Sequence, residues 1–277
     1  MLNRFTKLIF CILIFIISCA GKFDWIDTLP KPWQLNEEEV SELLSKFKEK
    51  YPNFEDRLKA LTLWRIGTPY EEFKLGEEIL PDTDPLFRLD VSDCTVHVLT
   101  TFVLAQSSNW NDARENITEV HYKLNPDGEH IPSYDSRWHF TSDRLLSNPS
   151  TVDITNKIAD DKYLKNVELI LNKKQNGSPL LDMDWSKKIQ LSYIPNKFIS
   201  LDLLDKLPQI CGIAFVQEAY IKNGLIIAHE GILLDKINLV HASSDSGQTA
   251  KVNFMEYYFN GKKPNFDGIM VYKFVPF

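Results

Sequence analysis

The sequence predicts an α+β domain in which helices come first and an antiparallel sheet follows. Helical spacing of apolar residues recurs before residue 70, and a strongly apolar stretch follows at Val96–Ala105. From Ile210 onward, short apolar runs alternate with turn residues, which is typical of strands joined by hairpins. With 277 residues and a hydrophobic content of 44%, the chain is long enough to bury a substantial core.

Residues 1–18 are predicted to be a lipoprotein signal peptide. Arg4 and Lys7 precede an unbroken apolar run over residues 8–17, which is too short to span a bilayer but suits a secretory signal. The leader ends at Cys19, and small or aliphatic residues before a cysteine are typical of the bacterial lipobox, in which that cysteine is acylated. The alternative is an ordinary signal peptide in which Cys19 has no role.

Lipid on Cys19 would attach the exported protein firmly to a membrane. The following Ala20 and Gly21 carry no acidic side chain, which by analogy favours the outer membrane, with the protein facing the periplasm. The chain has 31 basic and 38 acidic side chains and a formal net charge of −7. Because phosphate binding needs clustered lysine and arginine, this acidic chain is predicted to bind no nucleic acid.

Beyond the leader, residues 19–52 are predicted to form a tether followed by an N-terminal helix. Proline and tryptophan interrupt the first part of this segment, whereas Asn36 and Glu39 have the spacing of a capping box at a helix start. The main domain is expected to cover residues 53–277. It opens with a second helix over residues 54–66, where apolar side chains recur every three or four positions.

A buried helix is predicted to start near Cys94, because the stretch Val96–Ala105 is almost entirely apolar. Ser92 or Asp93 is expected to cap its first turn. A polar region over about residues 106–190 separates this helix from the strands.

The last part of the chain is predicted to form an antiparallel meander on which the buried helix packs. Turn residues separate its short apolar runs, as hairpins require. The predicted strands are Ile213–Val216, Leu225–Ala228, Gly231–Leu234, Leu239–His241 and Ile269–Phe274.

The position of Cys94 suits a nucleophile. In the first turn of a helix, a cysteine faces unpaired N–H groups and the positive end of the helix dipole, which favour the thiolate and lower the thiol pKa toward neutrality. The same N–H groups can hold an oxyanion. The alternative is a buried structural cysteine, but the polar neighbours Ser92 and Asp93 indicate a boundary between elements.

Two histidines flank a predicted turn in the meander. If the turn is centred on Asp235, antiparallel pairing places His229 and His241 opposite each other on one face of the sheet. Asn238 is a competing turn centre, and a slip of one residue would move His241 to the other face. The pair suits a general base that a second polar group orients.

Cys94 and Cys211 are the two thiols that remain once the leader and the lipid site are set aside. Cys211 lies in an apolar strand segment without a helix start, which makes it the weaker candidate nucleophile. A disulfide between the two is the other use for such a pair in an oxidising compartment. Cys94 and the two histidines lack compact metal-ligand spacing, so no metal site is predicted.

Taken in order, these motifs resemble the NlpC-type papain-like cell-wall cysteine hydrolases. The matching segments are Gly67-Thr68-Pro69-Tyr70, Asp93-Cys94-Thr95, His229-Glu230-Gly231 and His241-Ala242-Ser243. Within that superfamily, the segments over residues 134–140 and 252–259 resemble the N-acetylmuramoyl-L-alanine amidase-like family, formerly a domain of unknown function. The resemblance extends over residues 54–277 and implies a papain-like, NlpC-like α+β fold, with the nucleophile at the start of a buried helix.

The resemblance also implies residue roles and an activity. Cys94 would be the nucleophile, His229 the general base and His241 the residue that orients the base. The residues it places next to the substrate are Tyr70, Asp93, Arg137 and His139. The expected reaction is hydrolysis of the amide bond between N-acetylmuramic acid and L-alanine in peptidoglycan or muropeptide fragments, without a metal or organic cofactor.

Two other functions fit the same motifs. One is an endopeptidase that cuts between D-glutamate and the diamino acid of the peptide stem. The other is a lipoprotein that has lost catalysis and binds glycan. His97 and Glu230 stand at positions where the superfamily usually has other residues, which bears on the choice of substrate.

Overall fold

Helices occupy the first part of the chain and strands dominate the second, as the sequence predicted. The computed structural model describes residues 21–261 and 263–277. Among these residues, the four long helices are α1 (Glu37–Lys50), α2 (Phe54–Trp64), α3 (Cys94–Leu104) and α4 (Trp110–His121). The four short ones are α5 (Thr141–Ser147), α6 (Thr155–Ile158), α7 (Leu201–Leu204) and α8 (Phe254–Tyr258).

The strands form one eight-stranded antiparallel sheet with the path β2-β3-β8-β4-β5-β6-β7, and β1 also pairs with β8. The first four strands are β1 (Thr151–Asp153), β2 (Lys165–Leu171), β3 (Lys187–Pro195) and β4 (Ile210–Val216). The last four are β5 (Ile227–Leu234), β6 (Asn238–Ser243), β7 (Gln248–Asn253) and β8 (Gly268–Phe274). The last strand therefore lies inside the sheet, between β3 and β4, which a simple meander would not produce.

The predicted polar middle region contains a hairpin that the sequence analysis missed. Strands β2 and β3 pair along their length, from Lys165 opposite Tyr193 to Leu171 opposite Lys187. Buried and exposed positions alternate along both strands, as expected for strands with one face in the core. The alternation was present in the sequence, but lysine, glutamate and asparagine on the outer face masked it.

The two faces of the central strands bury different cores. Along β4, Ala214 and Val216 belong to a large core shared with the four long helices. Ile213 and Phe215 point the other way, into a smaller core capped by the short helices α7 and α8. The sheet is thus covered on both sides, which explains why every residue of β4 is buried.

Residues 21–35 are folded onto the helices, although the sequence analysis assigned them to a tether. Ile26 is only 3% exposed, and the Trp25 ring packs edge-on against Phe47 of α1 at a centroid distance of 5.1 Å. The Tyr51 hydroxyl donates a hydrogen bond to the carbonyl of Lys22 at 3.0 Å. The apolar side chains that interrupt this polar stretch are the reason, because burying them against α1 and α2 offsets the cost of ordering the chain.

The predicted signal peptide, residues 1–18, and the predicted lipid site at Cys19 lie outside the described residues. Within residues 21–261 and 263–277, none of the helices combines the length and the apolar character that crossing a membrane requires.

Replacing Ile26 by alanine tests whether the first segment is part of the folded domain. The substitution leaves a cavity where the Ile26 side chain is packed against the helices, so we expect it to lower the free energy of unfolding by about 2–5 kcal/mol in urea denaturation. Ile131→Ala is the matched control, because Ile131 is 53% exposed and should change stability by less than about 0.5 kcal/mol. Equal effects of the two substitutions would show that the segment is not packed in solution.

Candidate active site

At the start of α3, the carboxylate of Asp93 accepts two backbone hydrogen bonds, one at each oxygen. Asp93 Oδ1 accepts a hydrogen bond from the backbone N–H of Val96 at 2.8 Å and so caps the helix. Its Oδ2 accepts one from the backbone N–H of Phe73 at 2.9 Å. Asp93 is therefore the cap, one of the two residues predicted for it, and it fixes Cys94 as the first residue of the helix.

His229 and His241 are joined by a hydrogen bond of 2.9 Å between His229 Nε2 and His241 Nδ1. The bond leaves Nδ1 of His229 available for the nucleophile. Their rings meet nearly at right angles, with centroids 5.0 Å apart. The predicted pairing of the two imidazoles is thus present, with the geometry of a base and its orienting group.

The hairpin register differs from the predicted one. Leu234 pairs with Asn238, so the turn holds Asp235, Lys236 and Ile237 and is centred one residue later than expected. Asp235 and Lys236 both have positive φ, 53° and 63°, which makes the longer turn possible.

As a result of this register, His241 lies beside Gly231 rather than opposite His229. A Cβ on Gly231 would come within 2.9 Å of His241 Cβ, so a glycine is required at this position. Both histidines still lie on the same face of the sheet, as predicted. Moving the turn centre by one residue shifts each cross-strand pair by two residues, and residues two apart on a strand point to the same face.

Burial keeps both imidazoles neutral at physiological pH. It lowers the pKa of His229 to about 3, with repulsion from His241 acting in the same direction. Burial also lowers the pKa of His241 to about 4, against a smaller opposing effect from Asp245. A neutral His229 is the form that can accept a proton.

A cavity of about 530 Å³ brings most of the predicted site residues together. Its lining includes Tyr70, Asp93, Cys94, Arg137, His139 and His229. His241 lies behind His229 and is 3% exposed. Cys94 and His229 are both partly exposed in this cavity. No hydrogen bond joins the Cys94 thiol to the His229 imidazole in this structure.

The thiol of Cys94 differs from the sequence prediction in its pKa. Burial and, to a smaller extent, the carboxylates of Asp93 and Glu230 together raise the pKa of Cys94 to about 12, against smaller opposing contacts with the Glu230 backbone and the Thr95 side chain. The expected lowering by the helix start is therefore outweighed. The resting pair is a neutral thiol with a neutral imidazole.

The predicted substrate-contacting residues already have protein partners. The Tyr70 hydroxyl donates to Glu72 at 3.0 Å, and a ring nitrogen of His139 is bonded to the Tyr134 carbonyl at 2.6 Å.

Arg137 binds two carboxylates, with Nε donating to Glu77 at 2.8 Å and Nη2 donating to Asp82 at 2.9 Å. These contacts orient Arg137 at the wall of the cavity. Contact with the substrate stays a prediction for Tyr70, His139 and Arg137.

Glu230 is the functional candidate that the sequence analysis missed. It was seen only as a departure between His229 and Gly231, yet its side chain is completely buried and accepts a hydrogen bond from Thr95, the residue after Cys94. Its position in the sequence could have identified it, because a carboxylate inside the apolar run of a central strand needs buried partners.

Cys211 lies in β4, is 0% exposed and is a free thiol, as is Cys94. The alternative disulfide between the two is therefore not formed in this structure. Across the described part of the chain, no group of three or more His, Cys, Asp or Glu side chains is arranged to hold a metal ion.

The fold is of the α+β class, with a cysteine at the start of a buried helix and a histidine on an antiparallel sheet that both line one cavity. Comparison with known families then gives a specific assignment. The chain belongs to the N-acetylmuramoyl-L-alanine amidase-like family, whose profile matches residues 62–266. This membership indicates an amidase-like hydrolase. No curated protein matches the chain.

Solved structures share the fold at low sequence identity. A Legionella pneumophila protein of the family DUF1460 has a TM-score of 0.69 at 21% identity, over 87% of this chain and 96% of its own. An N-acetylmuramoyl-L-alanine amidase from Bacteroides uniformis has a TM-score of 0.60 at 19% identity, over 79% of this chain and 97% of its own.

A protein from Bacteroides fragilis described as a putative xylanase has a TM-score of 0.60 at 21% identity, over 77% of this chain and 99% of its own. Because these neighbours carry different functional descriptions, they establish the fold and leave the reaction to the site.

Alkylation with iodoacetamide should modify Cys94 before Cys211. Cys94 lines the cavity, whereas Cys211 is completely buried. Because the pKa of Cys94 is raised, the rate at pH 7 should be slow and should rise about tenfold per pH unit, as the thiolate fraction does. Peptide mass mapping of partly labelled protein measures this order, and faster labelling of Cys211 would reverse the assignment of the nucleophile.

Acidification should destabilise the fold through its buried histidines. His97 of α3 is 0% exposed, neither ring nitrogen has a partner among the described residues, and burial holds its pKa well below the usual range. Such a histidine takes up a proton below pH 6.5 only in the unfolded chain, so stability is complete above that pH and falls as pH falls.

The replacement His97→Leu removes one of these groups. Between pH 6.5 and 5, the variant should lose about 2 kcal/mol less unfolding free energy than the wild type. Urea denaturation at both pH values measures the difference. Identical losses in the two proteins would contradict a neutral, buried His97.

Proposed function

We propose that this protein is a cysteine-dependent N-acetylmuramoyl-L-alanine amidase that acts on peptidoglycan or muropeptide fragments. Cys94 is the nucleophile, His229 the general base and His241 the residue that orients the base. The observation that supports this most directly is the shared cavity, which Cys94 at the start of α3 and His229 beside it both line. The hydrogen bond of 2.9 Å between His229 and His241 supports the assignment of roles.

The reaction begins from the neutral thiol and the neutral imidazole. Nδ1 of His229 takes the proton from Cys94 as the sulfur attacks the carbonyl carbon of the substrate amide. The Nε2 bond to His241 stabilises the imidazolium that forms. Backbone N–H groups in the first turn of α3 hold the developing oxyanion.

Breakdown of the tetrahedral intermediate completes acyl transfer. The imidazolium of His229 donates its proton to the amine nitrogen, the C–N bond breaks, and a thioester remains on Cys94. Water then attacks the thioester carbonyl, with His229 accepting its proton. The carboxylic acid leaves, and the thiol is restored, so all protons and bonds balance.

The family and a named neighbour support the choice of substrate. The bond proposed for cleavage joins the lactyl group of N-acetylmuramic acid to L-alanine. Membership of the amidase-like family and the shared fold of the Bacteroides uniformis amidase support this choice. The aromatic side chains Tyr134, Trp138 and Phe140 in the wall of the cavity offer flat apolar surfaces of the kind that pack on sugar rings.

The location proposed for the enzyme rests on the sequence alone. A lipid anchor on Cys19 would hold the protein at the outer membrane, facing the periplasm. Metabolic labelling with an alkyne fatty acid tests this proposal, and wild type should be labelled while Cys19→Ala should not.

Digestion of purified muropeptides tests the reaction. Wild type should release a free disaccharide and an intact peptide, identified by mass. Cys94→Ala should lower turnover by several powers of ten without changing the melting temperature, because loss of a nucleophile removes the covalent route. Cys211→Ala is the matched control and should keep wild-type turnover, since Cys211 lies in the core away from the cavity.

Other outcomes of the muropeptide assay would indicate a different function. Disaccharide joined to a shortened peptide means cleavage within the stem, as by a D-glutamyl-diamino acid endopeptidase. Binding of wall fragments without turnover, equal in wild type and Cys94→Ala, means a glycan-binding protein.

A further inference from the structure

The Glu230 carboxylate is the centre of a closed polar network inside the protein. Its side chain is 0% exposed, and both oxygens accept two hydrogen bonds each. Oε1 accepts from the hydroxyls of Thr95 at 3.0 Å and Thr141 at 3.1 Å. Oε2 accepts from Arg144 Nη2 and from the Tyr272 hydroxyl, both at 2.6 Å.

The network connects the two halves of the candidate active site. Thr95 follows Cys94 on α3, and Glu230 follows His229 on β5. A single side-chain hydrogen bond therefore joins the residue next to the nucleophile to the residue next to the base. The other partners come from α5 and β8, which fixes the carboxylate from three directions.

Energetics explain why this link is rigid. A buried carboxylate without partners would cost several kcal/mol, so any movement that breaks the bonds is strongly opposed. Arg144, which is itself 1% exposed, balances the charge. Helix α3 and strand β5 are thus held at one separation, rather than sliding on an apolar contact.

We propose that Glu230 is a positioning residue that sets the placement of Cys94 relative to His229. The inference rests on the proposed cysteine chemistry, because it concerns how that chemistry is aligned. Glu230 contacts no atom of the substrate in this role; it acts through Thr95 and through its own strand.

The same carboxylate influences the charge state of the thiol. Burial, then Asp93, then Glu230 raise the pKa of Cys94. The histidines around this site, His229, His139 and His121, are kept neutral by burial, and the raised pKa values of Tyr70 and Tyr257 keep these two side chains protonated. The charged groups that also line the cavity are Glu72, Asp82 and Arg137. Removing the Glu230 charge should therefore favour the thiolate.

Glu230→Gln keeps the shape and removes the charge. Its alkylation profile with iodoacetamide should shift to lower pH, and the rate at pH 7 should rise about tenfold for each unit by which the thiol pKa falls. Turnover of muropeptides should move the opposite way, with kcat falling about 10- to 100-fold and KM changing little, as for misplaced catalytic groups. Because unfolding would also expose the thiol and abolish turnover, both measurements require a variant whose melting temperature matches wild type. Cys211 is completely buried and should stay unlabelled in the folded variant, so its labelling reports any general loss of structure.

Two further variants separate position from charge and remain informative if Glu230→Gln does not fold. Thr95→Val removes the bond from α3 and keeps the carboxylate, so kcat should fall about tenfold while the alkylation profile stays near wild type. Thr101→Val is the matched control, because it makes the same replacement at a buried position of α3 and removes a hydrogen bond to the His97 carbonyl instead of one to Glu230. It should keep wild-type kcat.

Wild-type kcat in Thr95→Val, or equal losses in Thr95→Val and Thr101→Val, would overturn the proposal. Wild-type kcat in Glu230→Gln would also overturn it. If wild type cleaves no wall fragment, the proposed amidase function fails by itself. In that case the alkylation series still decides whether Glu230 acts on Cys94.

Discussion

The contact between the start of α3 and strand β5 is the constraint on which the rest of the site depends. Asp93 caps the helix, and the buried Glu230 carboxylate ties that end of the helix to the sheet. Cys94 and His229, the proposed nucleophile and base, are therefore positioned by one junction. A displacement there would move both at once.

This junction also gives the site its electrostatic character. Burial, with a smaller effect from two nearby carboxylates, opposes ionisation of a thiol that a helix start would otherwise help to ionise. Burial also keeps two neighbouring imidazoles uncharged. In the proposed reaction, proton transfer is thus part of the attack on the substrate, and substrate binding that displaces water would change the balance between the neutral and the ionic forms of the Cys94–His229 pair.

Local sequence patterns were enough to predict those structural features that depend on interactions between nearby residues. The helix at Cys94, its cap at Asp93 and the shared face of His229 and His241 all follow from spacing within a few residues. The exact register did not follow, because it depends on positive φ at Asp235 and Lys236. Glu230 was missed because its partners lie up to 135 positions away along the chain.

The folding of residues 21–35 onto α1 and α2 has a consequence for how a lipid-modified form would work. Only Ala20 would separate an acylated Cys19 from Gly21, whose N–H binds Asp24 at 2.5 Å. An extended residue spans about 3.5 Å, so the domain would rest directly on the bilayer instead of sampling a wide radius.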